Sequence, residues 1–162
     1  MRTATEADAP ALADLVRRGV ETYVAFMPAG WATVDHDPMF DPEYVRGQLR
    51  TPGVWTRVVE DEDGIAGFAL FLPDADGDAD AYLASVFVDQ RRWGEGLGRS
   101  LLAAAVDEMR RRGHRMARLW VARDYERARR TYEAAGWRPT GAERIYDVDG
   151  TPLVEYRIGL SY

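Results

Sequence analysis

The stretch Ala81-Tyr82-Leu83-Ala84-Ser85-Val86-Phe87-Val88-Asp89-Gln90-Arg91-Arg92-Trp93-Gly94-Glu95-Gly96-Leu97-Gly98-Arg99 decides the reading of the chain. Tyr82 to Val88 is aromatic, apolar and β-branched enough to form a strand. From Arg99 onward Leu101, Leu102, Ala105, Val106 and Met109 fall on one helical face, while Arg99, Asp107, Arg110 and Arg111 take the other. Strand, glycine turn and helix make an anion trap. Gly94, Gly96 and Gly98 let backbone N–H groups turn inward at the positive end of a helix dipole, and Arg91, Arg92 and Arg99 add full charges.

The anion can be narrowed by elimination. A P-loop needs a lysine and the chain has none, while a dinucleotide fingerprint needs a third glycine where Arg99 or Leu101 stands. The stretch resembles instead the acetyl-coenzyme A loop of the GCN5-related N-acetyltransferase (GNAT) superfamily, through Arg91, Gly94 and Gly96 with a Gly98-Arg99-x-Leu-Leu continuation. A second signature of that family recurs in Arg127-Ala128, Tyr132-Glu133 and Gly136, followed by Trp137. One position departs from it: Tyr125 stands where an asparagine is common, which bears on a side-chain contact to the pantetheine arm.

The resemblance covers nearly the whole chain, least specifically between Glu21 and Pro52. It implies an α/β fold: a mixed, mostly antiparallel sheet with its central parallel strands splayed and helices on both faces. It also implies acetyl-CoA as acetyl donor. The coenzyme would lie along Val86, Phe87 and Val88, whose main chain would pair with the pantetheine arm. It would run on to Arg91, Arg92, Trp93, Gly94, Gly96, Leu97, Gly98 and Arg99, with Tyr125 alongside. Tyr132 matches the family's tyrosine that faces the sulfur, and so is the candidate general acid. Periodicity alone would place Tyr132 in the core, on one helical face with Ala128 and Ala135.

The 162 residues suit a single domain, 1–162, of a size that buries about two thirds of its unfolded surface. Cysteine is absent, and neither a basic-then-apolar leader nor an apolar run near ~18 residues is present, so a cytoplasmic protein with no membrane association is expected. Lysine and asparagine are absent and isoleucine stands only at 65, 145 and 158, a bias against AT-rich codons that points to a GC-rich bacterium. The net charge of −6 speaks against a nucleic-acid partner. It suits a cationic acceptor, or serves solubility alone.

Along the chain, Met1 to Ala4 reads as a short edge strand, and Leu12, Leu15, Val16 and Val20 as a helix face. Glu21 to Pro52 reads as short helices and loops whose aromatics either close the core or line a pocket. Val54–Glu60 and Ile65–Leu72 form a hairpin, and Pro73 to Asp80 is a solvated loop without calcium-loop spacing. Met116–Val121 is the next strand. Glu143–Val148 and Pro152–Leu160 flank a tight Asp149-Gly150 turn, with Val154, Tyr156, Ile158 and Leu160 on one face and Glu155 and Arg157 on the other. That apolar face is a candidate homodimer surface.

Acyl transfer to an amine also needs a base. The resemblance implies a glutamate on the central strand, but Tyr82 and Ala84 occupy its places; Glu21, Asp35 and Asp80 through water, or His36, are the substitutes. Asp35-His36-Asp37 lacks metal-ligand spacing, and no metal is expected. The expected activity is acetyl-CoA-dependent N-acetylation of a small-molecule or peptide primary amine, by direct attack in a ternary complex. A non-catalytic acyl-CoA-binding regulatory module is the alternative.

Overall fold

A computed structural model describes residues 1–160, so Ser161 and Tyr162 of the expected 1–162 domain lie outside the described residues. One sheet carries six strands in the order β1-β2-β3-β4-β6-β5. They are β1 (Trp55–Asp61), β2 (Gly64–Pro73), β3 (Ala81–Val88), β4 (Met116–Ala122), β5 (Arg138–Ile145) and β6 (Pro152–Gly159). Only β3 and β4 run parallel; every other neighbouring pair is antiparallel.

Helices α1 (Ala9–Glu21) and α2 (Pro42–Leu49) cover one face, where Leu12, Leu15 and Val16 pack on Val58, Phe68 and Leu70. Full burial of an aliphatic side chain of this kind stabilises by about 1.5–3 kcal/mol as an upper figure. Helix α3 (Leu97–Arg111) lies on the other face, with Leu101, Leu102, Ala105 and Met109 against Ala69, Phe71 and Leu83. Helix α4 (Glu126–Ala134) joins that same side through Ala128 and Tyr132. Gly19 on α1 permits close contact with the sheet, since a Cβ there would lie 2.4 Å from the Phe87 ring.

The chain's two ends of the sheet differ from the sequence reading. Residues 1–4 form a single bridge, Arg2 with Val58, and no strand. The last hairpin is shifted: β5 begins at Arg138 and stops at Ile145, and residues 146–151 form a closed turn rather than a two-residue one. Tyr146 N–H donates to Thr151 O at 2.8 Å and Gly150 N–H to Tyr146 O at 2.7 Å, which pulls the chain out of the ladder. The apolar face of β6 is spent in the core, with Tyr156 and Leu160 at 0% and 1% exposure, so it offers no dimer surface. Glu155, expected outside, is buried and accepts from Thr140 at 2.8 Å and Arg157 at 3.2 Å. The acidic loop after β2 is largely solvated, apart from the buried Ala79 and the Asp74 carboxylate, which Arg118 holds at 2.8 and 2.9 Å.

Candidate active site

The two parallel strands touch only at their start, where Ala81 faces Ala117 and Tyr82 faces Arg118. Beyond that they diverge, and the gap opens a cleft of about 600 Å³. A bulge helps to shape its edge. Leu70 pairs with Ser85 and Phe71 with Leu83, so Ala84 is an extra residue in β3 that slips the inside–outside alternation by one. Past the bulge, Asp89 N–H donates to Ala66 O at 2.8 Å, and hydrogen-bonding residues alternate along an antiparallel pair. Phe87 therefore turns its main-chain groups toward β2, and Val86 and Val88 turn theirs toward the gap. Val86, Phe87 and Val88 all line it. The Val88 carbonyl already accepts from Trp93 Nε1 at 3.0 Å.

The glycine loop closes the wide end of the cleft. Gly94 and Gly96 hold φ of 87° and 82°, a conformation that costs a side-chain-bearing residue about 1–2 kcal/mol, and Gly96 caps α3 without a side chain. Space is open above both, so the backbone N–H groups at the start of α3 are accessible. Trp93, Leu97 and Gly98 line the cleft with them, as do Arg92 and Arg99.

Arg91 is the exception among the expected coenzyme contacts. It does not line the cleft; Nη2 and Nε bind the Asp89 carboxylate at 2.8 and 3.2 Å. Asp89 also accepts from the Arg91 backbone N–H at 3.0 Å and from Arg18 at 2.9 Å. The Arg91 guanidinium, burial acting against it, and the Arg91 N–H and Arg18 together hold this carboxyl far below the usual carboxylate range. Asp89 thereby ties the loop to α1, a role the sequence reading missed. Arg92 pairs with Glu95 at 2.7 Å and with Asp61. Arg99 has no ion pair among the described residues, and its charge is free for a ligand at the helix start.

Across the gap, Tyr125 precedes α4 and Tyr132 lies within it, both lining the cleft. Tyr125 packs in an aromatic group, 5.3 Å from Tyr23 and 4.7 Å from Phe26 between ring centres. Tyr132 packs edge-on to Trp137 at 6.3 Å, and its hydroxyl holds no hydrogen bond among the described residues. Burial, then the neighbouring Tyr125 and Tyr82 phenols, push the Tyr132 pKa well above the ordinary value, so the group stays protonated. Arg127 sets its guanidinium 4.5 Å from the Trp93 ring centre, joining α4 to the loop over the mouth.

Another part of the cleft wall collects polar groups from two separate segments. Asp37, 4% exposed, accepts at Oδ1 from Met39 N–H at 2.9 Å and from Tyr146 Oη at 2.8 Å. Asp149 and Thr151 come from the turn after β5, with Thr151 N–H donating to Asp149 Oδ1 at 2.9 Å. All four residues line the cleft. None of the expected proton acceptors does: Glu21 and His36 are exposed, Asp35 reaches toward Arg17 at 3.9 Å, and Asp80 accepts from Arg115 N–H at 2.6 Å outside the cleft. Among the described residues no group of His, Cys, Asp or Glu is arranged to hold a metal ion, and no helix is long and apolar enough to cross a membrane.

This architecture is that of solved acetyltransferases. A GCN5-related N-acetyltransferase from Kribbella flavida superposes with a TM-score of 0.72 at 25% identity, over 98% of this chain and 96% of that one. The yncA protein of Salmonella typhimurium, solved with its cofactor acetyl-CoA, superposes with a TM-score of 0.68 at 25% identity, over 99% and 93%. The chain belongs to the acetyltransferase (GNAT) family, which it matches over residues 18–137. It is also 34% identical over 99 residues to a mycothiol acetyltransferase of Beutenbergia cavernae, a match over 60% of this chain and 32% of the relative. The match thus spans about a third of that curated relative's length.

Proposed function

We propose that the protein acetylates a primary amine with acetyl-CoA as donor, both substrates meeting in the cleft between β3 and β4. The observation that carries this reading is the pairing of the two strands at Ala81 and Tyr82 alone, which leaves Val86 and Val88 main-chain groups facing an open gap. An extended pantetheine arm would add to β3 there as a strand does. The pyrophosphate would sit on the N–H groups at the start of α3, with Arg99 and Arg92 beside it. Bound there, the coenzyme supplies an activated acetyl thioester.

In the transfer, a nitrogen–carbon bond forms and a carbon–sulfur bond breaks; the nitrogen gives up one proton and the sulfur gains one. The Val86 N–H would polarise the carbonyl that develops charge. Tyr132 faces the same space as a protonated phenol and donates a hydrogen bond to the departing sulfur. Its raised pKa makes full proton transfer to a thiolate near pKa ~8.5 uphill, so its contribution is stabilisation of the thiolate rather than complete protonation.

The test is release of coenzyme A thiol from acetyl-CoA in the presence of a panel of amines, amino acids and peptides. Sustained turnover on any acceptor supports the reading. Tight coenzyme binding with no turnover across the panel would favour a non-catalytic acyl-CoA-binding module instead.

A further inference from the structure

Tyr132 keeps its place without a hydrogen bond of its own: among the described residues its hydroxyl has no partner, and its ring is set by two aromatic neighbours. One is Trp137. The other is Tyr156, whose ring centre lies 6.3 Å from that of Tyr132 at an interplanar angle of 42°. Tyr156 is firmly placed, because it is fully buried and stands in β6 opposite Leu119 of β4 on one side and Pro139 of β5 on the other.

The Tyr156 hydroxyl is fully used, and both of its partners come from α4. It accepts from Arg129 Nε at 2.9 Å and donates to Glu133 Oε1 at 2.8 Å. Arg129 and Glu133 are one helical turn apart, and Tyr132 lies between them in sequence on the same face. No residue of α4 is buried, so polar ties carry much of its attachment to the sheet. Arg129 Nη1 also donates to Arg123 O at 2.8 Å, just past β4, and Arg138 Nη1 donates to Glu133 O at 2.9 Å. Without the Tyr156 hydroxyl, the side chains on either side of Tyr132 lose the one group of β6 that both of them grip.

Resting on the acetyltransferase reading above, we propose that Tyr156 is a positioning residue: through Arg129 and Glu133 its hydroxyl fixes the turn of α4 that carries Tyr132, and so aims the Tyr132 hydroxyl at the coenzyme sulfur. Tyr156, Arg129 and Glu133 do not line the cleft, so none of them acts on the sulfur directly. The effect of Tyr156 is therefore conditional on the Tyr132 hydroxyl. A network that served stability alone would lower the unfolding midpoint when broken and leave the environment of the sulfur unchanged.

The test uses coenzyme A as the probe and needs no known acceptor. The pKa of the bound thiol is read from its thiolate ultraviolet absorbance, as difference spectra against the free protein, with binding followed by calorimetry and folding by thermal unfolding. A hydrogen bond donated to a thiolate favours the charged form, so Tyr132→Phe is expected to raise the thiol pKa by about 1–2. Tyr156→Phe keeps the ring and is expected to raise it by at least ~0.5, with coenzyme A affinity within ~3-fold of the wild type. Added to Tyr132→Phe, it should raise it no further. Glu133→Gln keeps an oxygen to accept the Tyr156 hydroxyl and should hold the wild-type value, while Glu133→Ala should shift it as Tyr156→Phe does. Glu133 is exposed, so its alanine variant decides the matter if Tyr156→Phe does not fold. A wild-type thiol pKa in coenzyme-bound Tyr156→Phe and Glu133→Ala, or a Tyr156→Phe shift that persists undiminished in the Tyr132→Phe background, would overturn this proposal and leave the acetyltransferase reading standing. No shift in Tyr132→Phe would remove Tyr132 from the sulfur and this proposal with it; failure of coenzyme A to bind the wild type would overturn the coenzyme site as well.

Discussion

The Arg91 guanidinium is bound to the Asp89 carboxylate, Nη2 to Oδ2 at 2.8 Å and Nε to Oδ1 at 3.2 Å, and points away from the cleft its loop encloses. Arg99, which lines the cleft, holds no ion pair among the described residues. Arg99→Ala is expected to weaken coenzyme A binding about 10-fold, as loss of a charge-assisted phosphate contact does. Arg91→Ala should change it less than ~3-fold. Calorimetry on the two variants checks this, and the reverse order would show that Arg91 swings onto the phosphate.

Asp89 ties the loop to α1 through Arg18, and its carboxyl is far more acidic than an unfolded aspartate. A carboxyl whose folded pKa is depressed contributes stability that is complete above the unfolded value, about 4, and is lost as pH falls below it. Asp89→Asn is therefore expected to cost about 1–2 kcal/mol at pH 7 and much less near pH 2. Urea unfolding at the two pH values measures the convergence. Parallel wild-type and variant curves at both would remove Asp89 from the acid sensitivity.

Tyr132→Phe keeps the ring's contacts with Trp137 and removes a hydroxyl that holds no hydrogen bond among the described residues. Stability should hardly change. If the phenol stabilises the departing thiolate, kcat falls by roughly 10- to 1,000-fold, nearer the lower end because a thiolate can leave unassisted. Since burial raises this phenol's pKa, the wild-type rate should show no decline from its ionisation below about pH 10. A phenylalanine variant with wild-type kcat, where chemistry limits the rate, excludes the role.

Trp93 Nε1 donates to the Val88 carbonyl, so the free main-chain groups along the gap are those of Val86 and the Val88 N–H. Trp93→Phe frees that carbonyl and also loosens the stacking of Arg127. The expected outcome is a loss of about 1 kcal/mol in stability and a severalfold rise in the KM for acetyl-CoA. Thermal unfolding and initial rates measure both; an unchanged KM would place Trp93 outside the coenzyme path.

What could be read from the sequence was local. The strand, loop and helix from Ala81 to Arg111 are written in periodicities of two and 3.6 and in closely spaced glycines, and each was found within two residues of its expected place. Contacts between distant segments were not legible. Arg18 meets Asp89 across 71 positions and Tyr146 meets Asp37 across 109, and no local pattern encodes either partner. The start of β5 was hidden because Pro139 and Gly141 disfavour strand, and the ladder accommodates them with an irregularity between Pro139 and Glu143. Asp37 passed as one acid in an Asp-His-Asp run; its burial and its hydrogen bonds from Met39 N–H and Tyr146 Oη, which distinguish it from the exposed Asp35, come from the fold.

The most direct test of the coenzyme site is calorimetric titration of coenzyme A into the wild type and into Gly96→Trp, with thermal unfolding of each alongside. Gly96 has open space above it but φ of 82°, so tryptophan adds about 1–2 kcal/mol of backbone strain and fills the mouth of the cleft. The wild type is expected to bind one coenzyme A per chain. The variant is expected to lose binding while its unfolding midpoint drops by only about 2–8 °C. A wild type that does not bind at millimolar coenzyme A, or a folded variant that binds as well as the wild type, would contradict the assignment of this loop and gap to the coenzyme.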